Sequence, residues 1–109
     1  MLPKGDLVTP LLEERTGEIG AACRRHGVRR LDVFGSILGG DFREGESDVD
    51  LLVEFTPMEP YARVQAYFAL RDELEKMLGV TVDLVVRGAV KNAVIAREID
   101  RTKQALYAA

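Results

Sequence analysis

The chain is poor in the residues that build disulfide bonds and zinc sites. Its 109 residues include one cysteine, Cys23, one histidine, His26, and no tryptophan. A single cysteine cannot form an internal disulfide bond and is typical of a protein in the reducing cytoplasm. One cysteine and one histidine also exclude a zinc site made from these residue types. We therefore predict a cytoplasmic protein in which any metal ion is held by oxygen ligands.

Long apolar runs and an excess of positive charge are also missing. No apolar run approaches the roughly 20 residues that span a bilayer, and residues 1–9 lack the apolar segment of a signal peptide. The 15 basic and 18 acidic side chains give a net charge of −3. This charge disfavours proteins that bind nucleic acid mainly by neutralising phosphates. The length predicts a single domain over residues 1–109, with a loose lead-in at residues 1–10.

The hydrophobic pattern predicts helices and strands that alternate along the chain. The predicted helices cover residues 11–26, 61–78 and 91–99, and the predicted strands cover residues 31–34, 48–55 and 80–86. The last stretch, residues 104–107, fits either a short strand or the end of the third helix. Aromatic side chains on the second helix, at Tyr61, Tyr67 and Phe68, are interpreted as part of the core. This order predicts an α/β fold, a small mixed β-sheet with helices packed on one side.

Acidic side chains cluster before the second predicted strand. Asp48 and Asp50 are two residues apart, so they would project from the same face with Cα atoms about 6.5–7 Å apart. Residues 41–50 contain five carboxylates and one arginine, which gives a local charge of −4. A bound divalent cation relieves such repulsion, and Mg²⁺ prefers a few carboxylates together with phosphate oxygens. Taken alone, such a pair at a strand end is more often solvated surface, so the magnesium site depends on further carboxylates that converge on it.

Asp83 is the second unusual acidic position, because it lies inside an otherwise apolar strand. A charge in that setting costs free energy unless it is paired, solvated or coordinated. Two interpretations stay open. Asp83 would join Asp48 and Asp50 if the two strands are neighbours, or it would form a structural salt bridge with Arg87 or Arg97.

A glycine–serine pair follows the first predicted strand directly, at Gly35 and Ser36. Glycine lets the backbone approach a ligand closely, and a serine hydroxyl at a turn can reach a phosphate group. Backbone N–H groups at such a turn form an anion site. Taken alone, the pair also fits an ordinary capped turn, so its meaning depends on the carboxylates that follow.

In their order and spacing, these residues resemble the nucleotidyltransferase superfamily related to DNA polymerase beta. The resemblance spans about residues 28–88, and the small size is similar to the minimal nucleotidyltransferases that serve as antitoxins in HEPN/MNT toxin–antitoxin pairs. It implies transfer of AMP from ATP to a hydroxyl group, with a tyrosine of a HEPN ribonuclease toxin as acceptor and partner. It also implies that Gly35 and Ser36 bind the nucleotide. Asp48, Asp50 and Asp83 would be catalytic and would bind Mg²⁺, as two ions.

One departure from the family pattern keeps a second hypothesis open. Relatives often carry an arginine shortly after the glycine–serine pair, whereas residues 37–40 contain none and the nearest basic residue is Arg43. The chain would then be a catalytically weak or inactive binding module that neutralises its partner by contact. A third hypothesis, an independent enzyme acting on small molecules or nucleic acid, is disfavoured by the length and the net charge. A homo-oligomer would supply the shared acceptor pocket that it needs.

Overall fold

Helices and strands alternate along residues 10–35 and 48–109, the parts of the chain that the computed structural model describes. In chain order the elements are α1 (Pro10–Glu13), α2 (Thr16–Arg25), β1 (Val28–Phe34), β2 (Val49–Phe55), α3 (Pro60–Leu78), β3 (Val82–Val86), α4 (Ala93–Thr102) and β4 (Gln104–Ala108). The first predicted helix is thus divided into α1 and α2, and the last stretch is a strand. None of the helices in the described ranges has the length and apolar character needed to cross a membrane.

The described strands form one mixed sheet in the order β3, β2, β1, β4. β2 and β3 run parallel, whereas β1 is antiparallel to both β2 and β4. Helix α3 connects the two parallel strands, because a parallel pair cannot be joined by a tight turn and needs a crossover. The predicted α/β fold with a small mixed sheet is confirmed.

Local signals in the sequence fix the ends of the two helices that flank β3. Glu59 caps the start of α3, where its side chain accepts a hydrogen bond from the Ala62 backbone N–H at 2.8 Å. Gly79 ends the helix in a left-handed conformation, with φ at 72°. The Asn92 side chain likewise accepts from the first free N–H groups of α4. These caps determine where the chain leaves each helix and turns toward the sheet.

One face of the sheet carries the main core against α2 and α3. Side chains alternate between the two faces along each strand. The inward strand residues include Leu31 and Val33 of β1 and Leu51 and Val53 of β2. They pack against Ile19 and Cys23 of α2 and Leu70 and Leu74 of α3. Burial raises the pKa of the Cys23 thiol to about 12, so this residue acts as a small apolar side chain. Leu52 faces the other side, where it lines a small cavity together with Ile99 of α4.

Candidate functional site

The parallel pairing of β2 and β3 brings two of the predicted site residues side by side. Asp50 and Asp83 are direct Cα partners in this register. Residues paired in this way project from the same face of neighbouring strands, which lie about 4.8 Å apart. Asp83 is exposed and Asp50 is half-buried. Two carboxylates thus share one end of one sheet face, although 33 positions separate them in the sequence.

The other predicted residues lie at the same end of the sheet or outside the described ranges. Asp48 is exposed and lies one residue before β2, which begins at Val49 and not at Asp48 as the alternating pattern indicated. Ser36 and Arg43 lie outside the described residues. The structure therefore pairs Asp50 with Asp83, and Asp48 precedes them at the same end of the sheet in the chain.

Gly35 approaches the Asp50 carboxyl group closely. Phe34 is the antiparallel partner of Asp50, so Gly35 follows at the end of β1 beside that carboxylate. A Cβ atom added at Gly35 would lie 2.9 Å from Cγ of Asp50 and closer still to its Oδ2. The backbone there also has φ at +86°, which favours glycine. The glycine was expected to make room for a ligand, and in the fold it makes room for the Asp50 carboxylate.

The structural alternative for Asp83 is not supported by the geometry. Arg87 lies 3.9 Å from carboxylate oxygens of both Glu54 and Asp100. Neither Arg87 nor Arg97 forms a salt bridge with Asp83 in the described ranges. The carboxylate of Asp83 therefore faces solvent at the end of the sheet, where it is accessible to a ligand.

The donor set at this end of the sheet fits magnesium. In residues 10–35 and 48–109 no group of three or more His, Cys, Asp or Glu side chains is placed so that it could hold a metal ion. Mg²⁺ does not require one, because it is usually held by one or two carboxylates, with water and substrate phosphates as the remaining ligands. The hard carboxylate oxygens of Asp50 and Asp83 on one face supply that minimal set, and Asp48 lies close to them in the chain.

A further buried carboxylate, at Asp32, was missed by the sequence analysis. Its side chain is almost fully buried on β1, and its two oxygens accept hydrogen bonds from Arg30 Nε at 2.9 and 3.0 Å. This contact raises the pKa of Arg30. Asp32 lies between two apolar residues, as Asp83 does, so the same sequence signal would have found it. Its carboxylate is committed to the ion pair with Arg30, whereas that of Asp83 is exposed.

The chain is similar in sequence to proteins of a known family. Residues 19–106 match the family described as the nucleotidyltransferase domain. Over 78 residues the chain is 38% identical to the protein adenylyltransferase MntA of Thermococcus cleftensis. The aligned region covers 69% of this chain and 75% of that relative. A solved structure described as a minimal nucleotidyltransferase is 33% identical with a TM-score of 0.71, over 85% of this chain and 90% of that one.

A toxin–antitoxin complex shares the fold at lower identity. The structure of the tri-AMPylated HEPN toxin of Shewanella oneidensis with its MNT antitoxin contains a chain that matches with a TM-score of 0.60. The match is 18% identical and covers 90% of this chain and 73% of that chain. At this identity the likeness is one of fold.

Proposed function

The chain belongs to the nucleotidyltransferase family, and we propose that it transfers AMP from ATP to a tyrosine hydroxyl group of a partner protein. The observation that carries this proposal is the register pairing of Asp50 with Asp83, beside a glycine that closes against Asp50. Two carboxylates at one end of a sheet face, Asp83 exposed and Asp50 half-buried, are the kind of ligand that a magnesium-bound triphosphate needs. The matched region of the family spans both aspartates.

The reaction forms one P–O bond and breaks another. The acceptor oxygen attacks the α-phosphorus of ATP, and the bond from that phosphorus to the oxygen bridging to the β-phosphate breaks. Pyrophosphate leaves with the bonding electron pair, and the hydroxyl proton passes to a carboxylate or to solvent. When bound, magnesium lowers the pKa of an acceptor hydroxyl and neutralises charge on the leaving pyrophosphate.

Each proposed site residue has a role in holding the reactants. Asp48 and Asp50 would bind the two Mg²⁺ ions, and the exposed carboxylate of Asp83 would complete the metal site or help to activate the acceptor hydroxyl. Gly35 keeps the Asp50 carboxylate in place, because its missing side chain leaves room for it. Ser36 would hold the triphosphate together with the Gly35 backbone. Positioning and charge stabilisation then supply most of the rate enhancement.

The proposed acceptor is a HEPN-type toxin, with this chain as the antitoxin that silences it in the cytoplasm. Support comes from the relative in Thermococcus cleftensis, which is named as a protein adenylyltransferase. Further support comes from the Shewanella oneidensis complex, in which an AMPylated HEPN toxin is bound to an MNT antitoxin. The present chain shares sequence with the first and fold with the second.

The proposal is tested by incubating the chain with the protein encoded by the adjacent gene, ATP and Mg²⁺, and measuring intact masses. We expect the partner to gain whole AMP units. Asp50→Asn and Asp83→Asn should each slow this gain about 100-fold or more, the range for losing a group that stabilises transition-state charge. Asp72→Asn is the matched control, because Asp72 is an exposed aspartate of α3 that is not among the proposed site residues.

Other outcomes lead to different conclusions. A stable complex without any mass gain would favour the contact-only binding module. A mass gain that persists at the wild-type rate in Asp50→Asn would contradict the assignment of the acidic site.

A further inference from the structure

Helix α3 carries an exposed apolar stripe that the core does not use. Tyr61, Val64 and Phe68 are 68%, 54% and 51% exposed, and their spacing of three and four residues places them along one side of the helix. The interpretation of Tyr61 and Phe68 as core residues was therefore wrong. Tyr67 alone among the three aromatic residues packs on the core. A contiguous exposed stripe of this kind is typical of an interaction site.

The stripe borders a groove of about 430 Å³ between α3 and the ends of β2 and β3. Phe55 and Val86 line the groove from the sheet, and Val64 and Phe68 line it from the helix. Phe55 lies five residues after Asp50 on β2, a distance of about 17 Å at the usual rise per residue. A protein bound in the groove would therefore leave the acidic site open.

Two arginines that form no ion pair within the described residues lie at the groove. Arg63 lines it, and the Arg71 guanidinium lies 5.1 Å from the centre of the Phe68 ring. Within the described ranges neither side chain forms a salt bridge, and the buried Arg71 Nε has no hydrogen-bond acceptor. Some exposed basic residues outside the groove, such as Lys76 and Arg101, do pair with a carboxylate one turn away on their own helix. In the part of the chain that the structure describes, the groove thus combines apolar surface with positive charge that no carboxylate pairs with, from Arg63 in its lining and Arg71 beside Phe68.

We propose that this groove is the docking site for an amphipathic, acidic helix of the partner protein. Its apolar side chains enter the groove, and its carboxylates pair with Arg63 and Arg71. This inference rests on the proposed function in one respect, that the acceptor is a protein. Tyr, Phe and Arg are the residue types that contribute most at protein interfaces, and an apolar groove along a helix is a common receptor for a partner helix.

The charge pattern argues against a second copy of this chain as the occupant. A two-fold contact places the same surface patch on both sides of the interface. The arginines of one copy would then face those of the other, and like charges at close range repel. A partner of opposite charge does not meet this repulsion.

The inference is tested by measuring the affinity of the chain for the adjacent-gene protein by biolayer interferometry. Phe68→Ser and Arg63→Glu should each raise Kd at least 10-fold. The matched controls are Ile95→Ser and Arg97→Glu on α4, since Ile95 is 53% exposed and Arg97 is also exposed. These controls should change Kd less than 2-fold. In the AMP-transfer assay, the groove variants should raise KM for the partner more than they lower kcat.

The outcomes separate this inference from the proposed function. If the wild type transfers AMP and Kd is unchanged in both groove variants, the docking site is overturned and the proposed enzymatic activity stands. If the complex weakens in the groove variants but the wild type transfers no AMP, the proposed function is overturned and the docking site stands. If light scattering shows that the wild type is a dimer and that Phe68→Ser is a monomer, the occupant of the groove is a second copy of this chain and the partner-helix proposal is overturned. Absence of any complex with this protein would contradict both.

Discussion

At the scale of single residues, Gly35 and Asp50 constrain each other. We predict that Gly35→Ala slows AMP transfer at least 10-fold, because the new Cβ must displace the Asp50 carboxylate. Gly88→Ala is the matched control: its φ is similarly positive, at +90°, but no atom lies within 4 Å of an added Cβ. Both variants should lose about 1 kcal/mol of stability from the left-handed backbone. Urea unfolding and transfer rates measure the two effects, and equal transfer rates in the two variants would refute the constraint.

Asp32 and Asp83 show that the sequence can mark an unusual residue without showing whether its role is structural or functional. Asp32 and Asp83 each interrupt an apolar strand, and the sequence signal is the same at both. In the fold, Asp32 is buried against Arg30, whereas Asp83 is exposed beside Asp50. The difference depends on which strands are neighbours, and a local pattern does not encode strand order.

At the scale of elements, the sequence predicted best where local chemistry decides. Helix α3 begins and ends within one residue of its prediction, because its caps are local. Strand β1 begins three residues earlier than predicted, since Arg29 and Arg30 hide the apolar alternation and a register shift lies between Val28 and Arg30. Tyr61 and Phe68 were wrongly assigned to the core. Apolar residues lie on two sides of α3, so its sequence pattern does not show which side faces the sheet.

Helices α2 and α3 are linked by a hydrogen bond from His26 Nε2 to Glu73 Oε1 at 2.9 Å. Arg25 binds the same carboxylate, and burial, with the charge of Arg25, lowers the pKa of His26 below its ordinary value of 6.5. Folding therefore favours the neutral ring. The stability that depends on it is complete above pH 6.5 and is lost as the pH falls through the lowered pKa of the folded state.

We predict that lowering the pH from 7.5 to 5.0 destabilises the wild type more than His26→Gln. The glutamine side chain can still donate a hydrogen bond to Glu73 but has no charge to gain. Urea unfolding at both pH values gives the free energies of unfolding to compare. Equal losses in the two proteins would show that His26 does not carry this pH dependence.

At the scale of the whole molecule, the net charge of −3 conceals two regions of opposite character. Carboxylates lie at the start of β2, and the groove beyond its other end carries apolar side chains together with Arg63, which forms no salt bridge in the described part of the chain. The composition disfavoured a protein that binds nucleic acid mainly through positive charge, but it could not place these regions at opposite ends of one strand. That arrangement separates the proposed chemistry from the proposed docking, so each can be altered without the other.

The central claim, that Asp50 and Asp83 together hold a magnesium-bound nucleotide, is tested most directly by titrating ATP calorimetrically with and without Mg²⁺. No partner protein is needed for this measurement. We predict that Mg²⁺ tightens ATP binding to the wild type and to Asp72→Asn at least 10-fold, and that this gain is lost in Asp50→Asn and in Asp83→Asn. An undiminished gain in either site variant would contradict the claim.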